Sequence, residues 1–138
     1  QTAAEINFFD IPPDTITAGI VWDAKLIVSN NTGHNFPSGT TFPRQLWIEL
    51  IATIGNDTLL TSGWLDANGD LLDFYTDPSG EQDPQLRIFN TILYDAQGDS
   101  GLLAVSVENM VVMTDHTLPV SGSRTINYSI NIPVGIEG

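Results

Sequence analysis

Two stretches of the chain hold residues whose types and spacing could do chemistry. The first is Asn31-Thr32-Gly33-His34-Asn35-Phe36-Pro37-Ser38-Gly39-Thr40-Thr41-Phe42-Pro43-Arg44, which contains one of the two histidines and one of the four cations. Gly33 and Gly39 bound a small arch around His34 and Ser38, and Pro37 stiffens it. A histidine on such a loop either presents a ligand nitrogen outward or braces the arch by donating to a backbone carbonyl. Ser38 follows His34 closely, but no nucleophile-elbow sequence surrounds it. His116, in Asp115-His116-Thr117, has no second ligand at metal-site spacing, and two histidines cannot form a three-histidine zinc site. The nucleophile and acid–base roles stay unfilled, so the expectation is a protein that is not an enzyme.

The second stretch is acidic. Asp66, Asn68, Asp70 and Asp77 fall at positions 1, 3, 5 and 12 of a calcium-loop spacing, with Asp73 between them. Alternate side chains of a tight turn point inward, where hard oxygen ligands can replace the hydration shell of a cation. Leu71 stands where the helix-flanked loop takes Gly, the twelfth residue is Asp instead of Glu, and the flanks do not read as helices. Two readings stay open: a calcium site on Asp66, Asn68, Asp70, Asp73 and Asp77, or an Asn68-Gly69 hairpin turn among solvated carboxylates. Trp64 opens this loop and is the candidate face for stacking a ligand such as a carbohydrate, whereas Trp22 and Trp47 are expected in the core. Arg44 is expected to form an ion pair within this acidic domain, with an Asp of this loop as one candidate partner.

The elements that must position these loops read as strands. Ile20, Trp22, Ala24, Leu26 and Val28 share one face of an alternating run, and Ile126, Tyr128, Ile130 and Ile132 share one face of another that Pro133 ends. Further strands are expected over Gln45 to Thr53, with Leu46, Ile48 and Leu50 inward, and over Leu86 to Tyr94, with Leu86, Ile88, Ile92 and Tyr94 inward. Shorter ones are expected at Ile6 to Phe9, Asp57 to Ser62, Leu102 to Val107 and Met110 to Met113, with turns at Gly55-Asn56-Asp57 and Glu108-Asn109. No window carries helical periodicity with caps, and no internal repeat stands out. Seven to nine short strands in one domain spanning residues 1–138 predict an all-β fold, an antiparallel, immunoglobulin-like β-sandwich. Residues 1–12 are expected to form an N-terminal arm. The two long irregular stretches, 30–44 and 63–85, are expected at its functional end.

Composition narrows the partners. Seventeen acidic residues against four basic ones give a net charge of −13. Four cations cannot neutralise a phosphate backbone, so nucleic acid is excluded as a partner, and anionic lipid repels the chain as well. No apolar run reaches the ~20 residues that span a bilayer, so no membrane insertion is expected. Apolar residues make up 41%, enough for a packed core. Cysteine is absent, which removes disulfides, thiolate metal sites and covalent c-type haem attachment. The chain begins at Gln1, which suggests a processed protein or a fragment. Few lysines and many Asn, Thr and Ser point to an extracellular or cell-surface location, with the periplasm also open. Asn30, Asn56 and Asn127 each begin an Asn-x-Ser/Thr sequon.

Asn31-Thr32-Gly33-His34-Asn35-Phe36-Pro37-Ser38-Gly39, followed by Arg44-Gln45-Leu46-Trp47-Ile48-Glu49, resembles the β-rich accessory domain of multihaem c-type cytochromes and related secreted proteins. Ser62-Gly63-Trp64-Leu65-Asp66-Ala67-Asn68-Gly69 and the closing Ser121-Gly122-Ser123-Arg124 with Tyr128 fit the same pattern, so the resemblance covers most of residues 17–133. It implies an extracytoplasmic module packed against a haem-bearing protein or domain. It also implies that His34 either ligates a neighbouring haem or braces its loop. No Cys-x-x-Cys-His is present, so this chain attaches no haem covalently. Two other functions are expected alongside this one: a subunit that pairs with copies of itself in an extracellular fibre or surface layer, and a calcium-dependent carbohydrate binder.

Overall fold

The structure, a computed structural model, describes residues 2–39, 44–73, 81–100 and 108–135. These residues form nine strands and no helix, and so no helix long and apolar enough to cross a membrane. The strands are β1 (Ala4–Phe8), β2 (Val21–Asn30), β3 (Leu46–Trp47), β4 (Leu50–Ile54), β5 (Asp57–Ser62), β6 (Ile88–Phe89), β7 (Thr91–Tyr94), β8 (Val112–Asp115) and β9 (Ser123–Asn131). All pairings are antiparallel: a sheet in the order β1-β2-β9 and the ribbons β3-β6, β4-β5 and β7-β8.

The two cleanest alternations build the main sheet. Ala24, Leu26 and Val28 of β2 are buried, as are Ile126, Tyr128 and Ile130 of β9, with Ile132 just beyond. The register sets Leu26 opposite Ile126 and Ala24 opposite Tyr128, so the apolar halves of both strands face one way. Ile48, Phe89 and Leu118 meet that face and complete the core. Trp22 packs against this core half-buried.

The expected strand at Gln45 to Thr53 is two strands, and so is the one at Leu86 to Tyr94. β3 pairs with β6, then the chain changes partner at Ile48 and Glu49 and β4 pairs with β5. In the same way β6 leaves β3 at Asn90, and β7 takes β8 as its partner. Side-chain alternation does not report a change of partner, which is why the pattern reads as continuous. The expected inward face of Leu86 to Tyr94 also needs correction. Leu93, assigned outward by alternation, is 5% exposed because β7 is covered on both faces, and Phe89 of β6, also assigned outward, is 1% exposed as a member of the core cluster. The strand expected at Met110 to Met113 is β8, Val112–Asp115; the one at Leu102 to Val107 lies outside the described residues.

The free edge of β9 is closed by side chains. The Gln85 amide donates to the Ser129 carbonyl at 3.0 Å and accepts from its N–H at 2.7 Å, as a neighbouring strand would. Arg87 donates to the Asn127 carbonyl at 3.1 Å, and Arg124 bridges back to the carbonyls of His116 and Thr117. Such plugs keep an edge from pairing with another chain.

Tyr128 is fully buried, and its hydroxyl has no hydrogen-bond partner of good geometry among the described residues. Ser62 lies beside it but donates its own proton to Asp83 Oδ2 at 2.7 Å. Burial, with Asp83 adding to it, pushes the Tyr128 hydroxyl from 10.0 up to about 12. Above pH ~10 the unfolded chain therefore loses a proton that the folded chain keeps. This contribution to stability is complete below pH 10 and is lost as pH rises through 12, by about 3 kcal/mol. Tyr128→Phe is expected to leave stability at pH 7 unchanged or up to about 1 kcal/mol higher, since it removes only an unsatisfied hydroxyl. The variant's stability should also be flatter between pH 10 and 12; urea titrations at both ends of that range check it.

Candidate functional site

The His34 loop is built from the end of β2. The buried parity of that strand runs Ala24, Leu26, Val28 and then Asn30, which is 2% exposed. A polar side chain at a core position needs partners, and Asn30 has them on every side. Its Nδ2 lies 2.7 Å from the His34 carbonyl, 3.1 Å from that of Leu118 and 3.0 Å from that of Pro119. Its Oδ1 accepts from the Thr32 N–H at 2.9 Å and from the Thr32 hydroxyl at 2.6 Å. One side chain thus ties the start of the arch to the segment leading into β9.

A second tie lies at the far end of the arch. Phe36 and Leu118 exchange both backbone hydrogen bonds at 2.8 Å. Asn35 Oδ1 accepts from the Val120 N–H at 3.2 Å. The Phe36-Pro37 peptide is cis and Pro37 is buried. Gly39 takes a left-handed φ of 78°, and Arg44 packs against it. Arg44 donates to the Ser38 carbonyl at 2.8 Å, a clasp within its own loop, and the expected partner loop lies partly outside the described residues.

His34 is exposed on this braced arch. Its Nδ1 lies 3.0 Å from the Asn35 carbonyl and 3.3 Å from Thr32 Oγ1. A carbonyl only accepts, so this contact selects the tautomer with the proton on Nδ1 and leaves the lone pair on Nε2. No described residue bonds Nε2. A histidine oriented in this way through Nδ1 is arranged as metal-ligating histidines are.

His34, Pro37, Ser38 and Gly39 line one side of a hollow of about 220 Å³; Thr91, Met113, Asp115 and Thr117 line the other. The neighbouring Thr117 side chain, whose hydroxyl lacks a partner of good geometry among the described residues, and the Thr117 N–H, which donates to Asp115 Oδ1 at 2.8 Å, hold the Asp115 carboxyl below its ordinary value of 3.8, with the charges of His116 and Arg124 adding to them. Both a histidine and an aspartate therefore border the hollow. His34 and Ser38 share its rim, but no hydrogen bond joins them among the described residues. The other histidine, His116, is exposed beside Asp115.

The acidic stretch forms a tight turn at a separate place. Asp66 Oδ1 accepts from the N–H groups of Asn68 and Asp70 at 2.8 and 2.9 Å, and Asn68 Nδ2 lies 3.2 Å from Oδ2. Those backbone donors, Asp70 foremost, hold the Asp66 carboxyl below 3.8. Gly69 supplies the left-handed φ of 87°. The same turn occurs again in Asp95-Ala96-Gln97-Gly98-Asp99. There Asp95 Oδ1 accepts from Gln97 and Asp99, both at 2.9 Å, and Gly98 has φ 86°. Asp-Ala-x-Gly-Asp is thus a short local repeat, against the expectation of no internal repeat. It encodes a backbone turn whose first carboxylate caps two amides.

Asp73 is buried at 5% exposure beyond the first of these turns, and Asp77 lies outside the described residues. No three His, Asp or Glu side chains among the described residues converge as a metal site would require. Trp64 is 39% exposed next to the turn. Trp47 is half-buried and donates from Nε1 to the Gly63 carbonyl at 2.9 Å. None of the described residues lining the His34 hollow comes from the acidic turn.

Asn30 is the residue that sequence reading missed. It was visible only as the start of a sequon, yet its Nδ2 is committed to three carbonyls and shut away from solvent, which leaves Asn56 and Asn127 as the exposed sequon positions. The signal was parity: it continues the inward series of β2. Compared with protein-family models, with curated proteins and with solved structures, the chain matches none.

Proposed function

We propose that this chain is a non-catalytic, extracellular β-sandwich module that docks beside a haem-bearing electron-transfer protein and presents His34 to it. In the sandwich reading, β1-β2-β9 is one layer, and the ribbons β3-β6, β4-β5 and β7-β8 pack on its apolar face as the other. The observation that carries the function is the bracing of His34. A ring that only filled its own loop would not need an Asn30 hub beneath it or an open Nε2. A ligand offered to a partner needs both, because a fixed, preorganised donor loses little freedom on binding. The resemblance to cytochrome accessory domains supplies the class of partner.

A c-type haem peptide with one open axial position tests the reading. The protein is expected to convert its ferric spectrum from high spin to low spin on titration. His34→Ala should raise the apparent Kd at least tenfold, about 1.4 kcal/mol, whereas His116→Ala should leave it unchanged. Equal titrations for His34→Ala and the unaltered protein would remove His34 from the role.

A further inference from the structure

We propose that β1 is an assembly edge, on which a second copy of this chain adds its own β1 antiparallel about a two-fold axis at Ile6. This goes beyond the docking of His34 and does not depend on it. The sheet β1-β2-β9 has two edges and treats them differently. The β9 edge is plugged by Gln85 and Arg87, as described above. Along β1 no described residue pairs with the outer edge.

Backbone directions follow from the register. Phe9 N–H donates to the Lys25 carbonyl, and Asn31 N–H donates to the Ala3 carbonyl. Odd-numbered residues of β1 therefore bond β2, and Ala4, Ile6 and Phe8 turn their N–H and C=O groups to the open edge. Their side chains stand opposite Asn30, Val28 and Leu26, on the face that holds the core. That face is not finished at β1: Ile6 is 50% exposed and Phe8 49%.

The exposed edge complements itself. With the axis at Ile6, Ile6 faces Ile6 of the second copy, and Ala4 faces Phe8 in both directions. All three facing pairs have outward amides on both strands, which gives about six new hydrogen bonds. Small faces large on the core side, so Phe8 of each copy extends the apolar face of the other. On the opposite side Glu5 faces Asn7, and no like charges oppose each other. A parallel or shifted alignment would lose these matches.

Charge separates this partner from a foreign one. Two copies at −13 each repel, so self-pairing must strengthen as salt screens them. A basic peptide on the same edge would bind more weakly with salt.

The test uses the whole chain and its lack of cysteine. Sedimentation velocity from about 1 µM to 1 mM is expected to show a monomer–dimer equilibrium that shifts toward dimer between 20 and 500 mM salt (roughly a fourfold to fivefold fall in Debye length). Ile6→Pro removes one outward N–H and none that bonds β2; it should raise the dimer Kd at least tenfold. Ile6→Lys, which keeps the backbone intact, should do the same. Ile6→Cys should form a disulfide dimer under mild oxidation, since facing residues there lie about 5.5 Å apart, within disulfide range. Phe8→Cys should not, because its two copies would lie about 13 Å apart along the strands. Melting curves confirm that each variant is folded. A monomer at every concentration overturns the proposal, as does a dimer that salt weakens. It is equally overturned by crosslinking that is faster at position 8 than at position 6.

Discussion

Gly63→Ala is expected to cost more than about 3 kcal/mol and to lower the melting temperature by more than about 10 °C. Gly63 follows β5 at φ 74°, a backbone region that disfavours any Cβ. Here the Cβ would also drive into the Ile48 carbonyl oxygen and come within 2.9 Å of the Ile48 carbonyl carbon and 3.1 Å of Glu49 Cα. Those are backbone atoms at the point where the chain passes from β3 to β4, so they cannot rotate away. Nor can Gly63 retreat, because its N–H donates to Asp83 Oδ2 at 2.7 Å and its carbonyl accepts from Trp47. Relief of the overlap must break one of these bonds or separate β5 from β4. Gly55→Ala is the control. It shares a left-handed φ, 56°, but nothing lies within 4 Å of its Cβ, so about 1 kcal/mol is expected. Urea denaturation followed by tryptophan fluorescence separates the two, and similar costs would remove the close approach as the cause.

The legibility of this fold followed partner number. β2 and β9 each keep one face inward along their whole length, so Leu26, Val28, Ile126 and Tyr128 could be assigned to the core from alternation. β3 to β4 and β6 to β7 change partner in mid-run, and β7 is covered on both faces, so alternation mistook Leu93 for an outward residue. The site divides in the same manner. His34 was legible because a lone histidine between two glycines is distinctive. Its support was not, because Asn30 works through carbonyls of His34, Leu118 and Pro119, two of them nearly ninety positions away in the chain. The acidic stretch shows the opposite hazard. Alternate oxygens suit a cation and also suit a capped turn, and Asp95 repeats the arrangement without the rest of the calcium spacing. A second copy of a motif in the same chain is a direct control on what the motif does.

Asn30→Asp should be the most damaging single-atom exchange in the His34 loop, costing about 4 kcal/mol or more at pH 7. The side chain keeps its size but exchanges its amide donor for a second oxygen. That oxygen would face the carbonyls of His34, Leu118 and Pro119 at about 3 Å in a site 2% exposed, where a charge is shut away from solvent. The introduced carboxyl escapes part of this by staying protonated, so its folded pKa lies above its unfolded value. Its penalty is therefore smallest below about pH 4 and grows as pH rises through the unfolded and then the folded pKa. Asn30→Ala, which leaves a cavity but no charge, should cost about 2–3 kcal/mol and show no such acid recovery. Denaturant titrations at pH 3.5 and pH 7 distinguish the two, and equal losses at both pH values in both variants would show that the three carbonyls do not depend on the Asn30 amide. The same variants separate bracing from ligation. If the hub preorganises His34, amide exchange at Thr32 and Gly33 should quicken and haem-peptide affinity should fall in Asn30→Ala while Nε2 remains available. If affinity holds while the loop loosens, His34 binds without its brace, and the Asn30 hub serves the fold alone.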